Sequence, residues 1–95
     1  MTVEQKFVAA WLSSREKAET LGVRLRPIAA EEVLKQAHRS VSSHRPSDGF
    51  TALAAKGRLD LSLEALVIDK RFTALFTDEE ANNALTRLLE AGYGF

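Results

Sequence analysis

The sequence predicts a mainly α fold, in which four to five short helices pack orthogonally into a single domain spanning residues 1–95. Two observations support this prediction. Apolar residues recur at the three- and four-residue spacing of a helix along most of the chain, and glycine follows several of these segments where a helix would end. A chain of this length buries only about two-thirds of the surface that its unfolded form exposes, so we expect one continuous core.

The first predicted helix runs from about Val3 to Leu21, and Gly22 supplies the left-handed residue that ends it. Its apolar stripe repeats at spacings of four and seven and comprises Val3, Phe7, Trp11, Ala18 and Leu21. Residues 23–26 then alternate apolar with basic side chains until Pro27 interrupts the pattern. This alternation indicates a short extended segment.

A second helix is predicted from about Ala29 to Val41. Glu31 and Glu32 lie in its first turn and Arg39 lies in its last, as the helix dipole favours. The stretch 42–49 follows and is rich in turn-forming residues. It is too short to separate two domains.

A short third helix is predicted from Phe50 to Lys56. Gly57 supplies its C-terminal stop, and either Ser47 or Asp48 can cap its N-terminus.

Leucines alternate with polar residues over 58–63, and this pattern fits two structures. In one, a small two-stranded β-ribbon pairs residues 23–26 with 58–61, although a ribbon of two strands is marginal in water. In the other, which we favour, a helix runs from Leu63 to about Lys70 and Ser62 caps it.

The last predicted helix has the clearest signals. Thr77 and Glu80 have the spacing of a capping box, and Gly92 ends the apolar stripe. Taking all helices together, we predict a core made of Phe7, Trp11, Leu21, Val33, Leu34, Leu53, Leu66, Phe72, Leu85 and Leu88.

Charge is segregated along the chain although the formal net charge is zero. Residues 24–58 carry seven basic and three acidic side chains, a net of +4, whereas residues 59–95 carry three basic and seven acidic side chains, a net of −4. Such a distribution indicates an electrostatically guided contact, either with a partner or between the two halves of the chain.

Two His-Arg pairs bracket the serine-rich turn: His38 with Arg39, and His44 with Arg45. The guanidinium groups of such arginines bind phosphates, so the two pairs form a candidate basic patch. Three further arginines, Arg24, Arg26 and Arg58, extend this patch if the fold brings them together. The alternative interpretation is that these are solvated charges that balance the acidic C-terminal half.

Two aromatic residues, Tyr93 and Phe95, lie near the C-terminus and are spaced by glycine. They either fold back onto the core or remain exposed as anchors for a partner.

Two other interpretations have less support. Residues 18–23 have the small residue and glycine of a helix-turn-helix, but Pro27 would then break the recognition helix. The histidines, Asp48 and neighbouring serines contain the atoms of a Ser-His-Asp arrangement, yet they crowd a short polar loop that does not exclude water. Two histidines six residues apart match no tight zinc spacing. We therefore predict no catalytic residue, no metal site and no cofactor.

The sequence thus predicts a small non-enzymatic binding module, a regulator or inhibitor that contacts another protein. The candidate partner-binding residues are Arg24, Arg26, His38, Arg39, His44, Arg45, Arg58, Tyr93 and Phe95. The alternative is a nucleic-acid-binding protein that uses the basic 24–58 segment, and a third hypothesis is a homodimer formed through the oppositely charged halves. The chain lacks cysteine and any long apolar run, so we expect a cytoplasmic protein without membrane contact.

Overall fold

The computed structural model describes residues 2–43 and 45–93, and within them the chain forms five α-helices. These are α1 (Val3–Thr20), α2 (Val33–Ser42), α3 (Phe50–Ala55), α4 (Leu63–Val67) and α5 (Asp78–Glu90). Three short 3₁₀ helices, Ala30–Glu32, Leu59–Leu61 and Thr73–Leu75, precede α2, α4 and α5. The mainly α prediction is confirmed.

Capping side chains determine where the two longest helices begin. The predicted box before α5 is present: Thr77 Oγ1 accepts a hydrogen bond from the Glu80 amide at 3.1 Å, and Glu80 Oε1 accepts one from the Thr77 amide at 2.9 Å. An equivalent pair that we did not predict, Thr2 and Gln5, caps α1 at 3.1 and 2.9 Å. Each box satisfies two amides that the first helical turn leaves unpaired.

The β-ribbon does not form, since neither residues 23–26 nor 58–61 are extended strands in the described part of the chain. Residues 59–61 make a 3₁₀ helix instead, which the Ser62 hydroxyl closes by donating to the Leu59 carbonyl at 2.7 Å. Leu59 and Leu61 both insert into the core beside Val23, so the segments meet through side chains rather than through a backbone ladder.

The predicted cap of α3 is wrong. Its N-cap is Gly49, which adopts φ +79° and makes no side-chain cap. A Cβ atom on Gly49 would collide with the Leu25 side chain and crowd Val23, so an alanine here would have to displace side chains as well as adopt a positive φ. Ser47 and Asp48 bind Glu64 and Arg26 instead. The Ser62 cap of α4 is confirmed, with its hydroxyl accepting from the Ala65 amide at 3.2 Å, but α4 ends at Val67 rather than near Lys70.

Two clusters of buried apolar side chains form the interior. The larger lies between α1, α2, α4 and α5, where the Phe7 ring meets Phe72 edge-on with centroids 5.2 Å apart. The smaller gathers residues of α1, α3 and α5 around Leu53 and Leu88, and Ile68 packs against both clusters. Of the ten predicted core residues seven are buried, while Leu21, Leu34 and Leu85 are half-buried.

In residues 2–43 and 45–93, none of the helices combines the length and apolar content needed to cross a membrane.

Candidate functional site: an arginine-lined cleft

A surface cleft of about 550 Å³ lies where α1, the segment after it, α2 and the loop following α2 meet. Its lining includes four arginines: Arg15 from α1, Arg26 from the segment after α1, Arg39 from α2 and Arg45 from the loop. Trp11, Ile28 and Leu63 supply apolar lining, together with Pro27 and Pro46, and three serines, Ser40, Ser43 and Ser47, also border it. The cleft therefore combines an apolar interior with strongly basic walls.

Arg15 is the most buried of the four arginines and acts as a structural support for the cleft. Its side chain is only 9% exposed, and its guanidinium carbon lies 5.8 Å from the centre of the Trp11 ring. It donates a hydrogen bond to the Arg26 carbonyl, while the Arg26 amide donates to the Asp48 carboxylate at 2.7 Å. These two bonds hold the segment after α1 between that helix and the loop, and so position Arg26.

The positive charge of the cleft is not neutralised within the described part of the protein. The ion pairs there are His38–Glu80, Arg58–Asp60, Arg71–Asp69 and Arg87–Glu64, and none involves a cleft arginine. Among the described residues that line the cleft Asp48 alone is acidic, so four arginines and one aspartate leave a net of +3. None of the four cleft arginines thus forms a direct ion pair with the described acidic residues of the C-terminal half.

A buried polar network holds the loop that supplies one wall of the cleft. Glu64 of α4 is fully buried, and its carboxylate accepts hydrogen bonds from the Ser47 amide at 2.9 Å and from the Ser47 hydroxyl. Arg87 of α5 approaches the same carboxylate at 3.4 Å and donates to the carbonyls of Ser40, at 2.9 Å, and Ser43. The network thus joins α2, α4, α5 and the loop.

Three residues of this region were not predicted from the sequence: Arg15, Glu64 and Arg87. For the first two, the sequence does contain a signal. Arg15 follows Trp11 by one helical turn and precedes Ala18 by three residues, a spacing that places it on the buried face of α1. Glu64 is the single acid inside an apolar run from Leu63 to Ile68, which indicates a buried carboxylate with a partner. The partner, Arg87, is identified only by the tertiary structure.

The fold brings together three of the five arginines predicted to act jointly: Arg26, Arg39 and Arg45 line the cleft. Arg24 is exposed and lies outside it. Arg58 is also outside, where its guanidinium bonds Asp60 at 3.0 Å; this hydrogen bond raises the pKa of Arg58 and lowers the pKa of Asp60.

His38 does not face the cleft. Its Nδ1 atom lies 2.9 Å from Glu80 Oε2, and its ring centre is 4.9 Å from that of Phe76. Partial burial acts to raise the pKa of Glu80, but hydrogen bonds from Thr77 and His38 outweigh this effect and hold that pKa below its ordinary value. His38 thus strengthens the start of α5, and the described residues do not bring it to Asp48 as a catalytic triad requires.

The remaining predicted residues lie near the C-terminus or in the loop. Tyr93 is half-buried against the smaller core cluster, and its amide donates to the Leu88 carbonyl at 2.9 Å. His44 and Phe95 lie outside the described residues. Across the described ranges, no group of three or more histidine, cysteine, aspartate or glutamate side chains is arranged to hold a metal ion.

Comparisons with models of protein families, with curated proteins and with solved structures found no match to this chain.

Proposed function

We propose that this protein is a non-enzymatic binding module, a regulator or inhibitor that captures an acidic segment of a partner protein in the arginine-lined cleft. The observation that carries the proposal is the convergence of Arg15, Arg26, Arg39 and Arg45 on one concave site, with no carboxylate among the described residues in an ion pair with any of them.

Electrostatics favours an anionic occupant. Gathering like charges in one cleft raises the free energy of the empty protein, and an incoming anion removes that cost. A basic cleft also concentrates field lines and accelerates the approach of an oppositely charged partner. The accessible apolar lining, from half-buried Ile28 and exposed Pro27 and Pro46, suits an apolar side chain next to the acidic group.

Several features favour a peptide segment over a nucleic acid. Trp11 is only 3% exposed and therefore offers no face on which a base can stack. Arg58 is paired with Asp60, and Arg24 lies outside the cleft, so the basic residues do not form a stripe that follows a phosphate backbone. The cleft volume of about 550 Å³ is typical of a site that binds a small group, such as one or two side chains of a peptide.

Binding rather than catalysis is also favoured by the lining. Serine hydroxyls border the cleft, but no described histidine does, and the one carboxylate bonded to a lining serine, Glu64, is fully buried and already held by the Ser47 amide and Arg87.

The test is a fluorescence-anisotropy titration with pools of short labelled peptides. Each pool has randomised flanks around a fixed centre, which is leucine followed by two glutamates, two serines or two lysines. We expect saturable binding of the glutamate pool alone, weakening as salt is raised. The double variant R39A/R45A removes two cleft contacts worth about 0.5–1 kcal/mol each, so Kd should rise about five- to thirtyfold.

A matched control variant, R24A/R58A, changes the net charge equally but leaves the cleft lining intact. Its Kd for the glutamate pool should stay near that of the unmodified protein. Equal weakening in both double variants would mean that total charge rather than the cleft governs binding, and absence of binding at low salt would remove the proposal.

A further inference from the structure

We propose that the acidic group held in the cleft is a phosphate ester on a serine or threonine of the partner segment. This inference rests on the proposed function and names the chemistry of the anchor. The phosphate would be bound by Arg26, Arg39 and Arg45, with the Ser40 hydroxyl as a further donor.

The charge of the cleft matches a phosphate better than a carboxylate. The lining carries a net of +3 from four arginines and Asp48. One carboxylate supplies a single negative charge, whereas a phosphate monoester carries about −1.5 to −2 at neutral pH. A single phosphate group therefore neutralises more of the positive charge in the cleft than a single carboxylate does.

The hydrogen-bond donors of the cleft also suit a group with three terminal oxygens. The guanidinium groups of Arg26, Arg39 and Arg45 make neither an ion pair nor a hydrogen bond with any described residue. A guanidinium is a planar fork of donors that binds phosphate oxygens in a bidentate manner. Together, the three guanidinium groups offer more hydrogen-bond donors than the two oxygens of one carboxylate can accept.

Ser40 provides an independent observation. It lines the cleft and is only 8% exposed, yet its hydroxyl bonds no described residue. The other two buried serines differ, because the Ser47 hydroxyl bonds Glu64 and the Ser62 hydroxyl bonds the Leu59 carbonyl.

Every fully enclosed polar side-chain atom of the described residues has a partner, so the Ser40 hydroxyl keeps an accessible edge. Because Ser40 lines the cleft, its hydroxyl is available to donate to a phosphate oxygen placed there.

The experiment uses three versions of one short labelled peptide pool, whose fixed centre is leucine followed by serine, phosphoserine or glutamate. We expect the phosphoserine pool to bind about tenfold more tightly than the glutamate pool, because of its extra charge and oxygen. In R39A/R45A the phosphoserine pool should lose this affinity, whereas R24A/R58A should retain it.

The variant S40A is designed to separate phosphate recognition from general acidity. It removes the hydroxyl while leaving the Ser40 carbonyl free to accept its bond from Arg87. We expect Kd for the phosphoserine pool to rise several-fold in S40A, with Kd for the glutamate pool unchanged. Circular dichroism and thermal unfolding of each variant confirm that the helices remain intact.

Each outcome distinguishes the two proposals. Equal affinity for phosphoserine and glutamate would overturn the phosphate anchor but leave the acidic-segment proposal standing, whereas failure of both pools to bind would overturn both. The last measurement is the affinity of the protein for inorganic phosphate. If inorganic phosphate binds as tightly as the phosphoserine pool, the peptide contributes nothing and the inference is wrong. A phosphoserine preference that survives R39A/R45A would place the site elsewhere and also overturn it.

Discussion

Replacing Glu64 by Gln tests how strongly the buried network holds the cleft wall. The Glu64 carboxylate accepts hydrogen bonds from the Ser47 amide, the Ser47 hydroxyl and Arg87, and it is fully buried. Gln keeps the shape of the side chain and can direct its amide nitrogen at the Ser47 hydroxyl, which can accept, but it carries no negative charge. The Arg87 guanidinium also loses the carboxylate that compensates its charge.

The expected loss of stability follows from this environment. Removing one partner of a buried ion pair costs about 3–5 kcal/mol. Arg87 remains bonded to the Ser40 and Ser43 carbonyls and its side chain is 12% exposed. We therefore place the loss in the free energy of unfolding at the lower end, about 3 kcal/mol. In a domain of this size, that loss lowers the melting temperature by about 12–24 °C.

Urea unfolding provides the assay, because Trp11 is the single tryptophan of the chain and is buried in the native state. The matched control is D60N. This variant also removes the negative charge of an arginine–carboxylate ion pair, but its pair, Arg58–Asp60, is exposed. The control should lose less than about 1 kcal/mol. If E64Q costs no more than D60N, burial is not what makes the Glu64 pair important and the reasoning is refuted.

Three further predictions concern the loop, the start of α5 and the class of partner. Gly49→Ala should destabilise the protein by about 2–4 kcal/mol, because it adds a clash with Leu25 to the cost of a positive φ. Gly57→Ala, also at positive φ but with open space around it, should cost only about 1 kcal/mol, and similar urea midpoints for the two variants would contradict this account. Because the pKa of Glu80 is held below its ordinary value, its stabilising contribution is present above that ordinary value and is lost as pH falls through the folded value. E80Q retains the cap but not the charge, so its stability should fall less on acidification than that of the unmodified protein; an identical decline would show that the ionisation of Glu80 contributes nothing to stability. Labelled duplex DNA should show no saturable binding at near-physiological salt, whereas tight binding that is lost on removing Arg39 and Arg45 would replace the peptide by a nucleic acid as the occupant.

Short-range signals explain which elements could be predicted. The capping box of Thr77 and Glu80 and the Ser62 cap involve residues three apart, so their geometry is determined within one helical turn. The cap of α3 was wrong for the opposite reason. Ser47 and Asp48 are good capping residues, but Glu64 and Arg26, 17 and 22 residues away, bind them instead.

The predicted β-ribbon was wrong for a similar reason, because long-range contacts decide the structure of these residues. Alternation over 58–63 indicates which residues are apolar, but it does not distinguish a strand from a 3₁₀ helix that inserts two leucines into a core. The cluster that receives these leucines includes Ala18, Val23 and Leu88, which come from distant parts of the chain.

The sequence by itself determined the mainly α class, the periodicity of the helices and most of the core, because these depend on spacings of three and four residues. It also placed Arg26, Arg39 and Arg45 in one candidate basic patch, but together with Arg24 and Arg58 and without a location. Only the tertiary structure decided that Arg15 joins them while Arg24 and Arg58 do not, and that Glu64 and Arg87 support the loop beside them. The physical reason is that a cleft and a buried ion pair form between residues far apart in the chain, and no local pattern records which of them will meet.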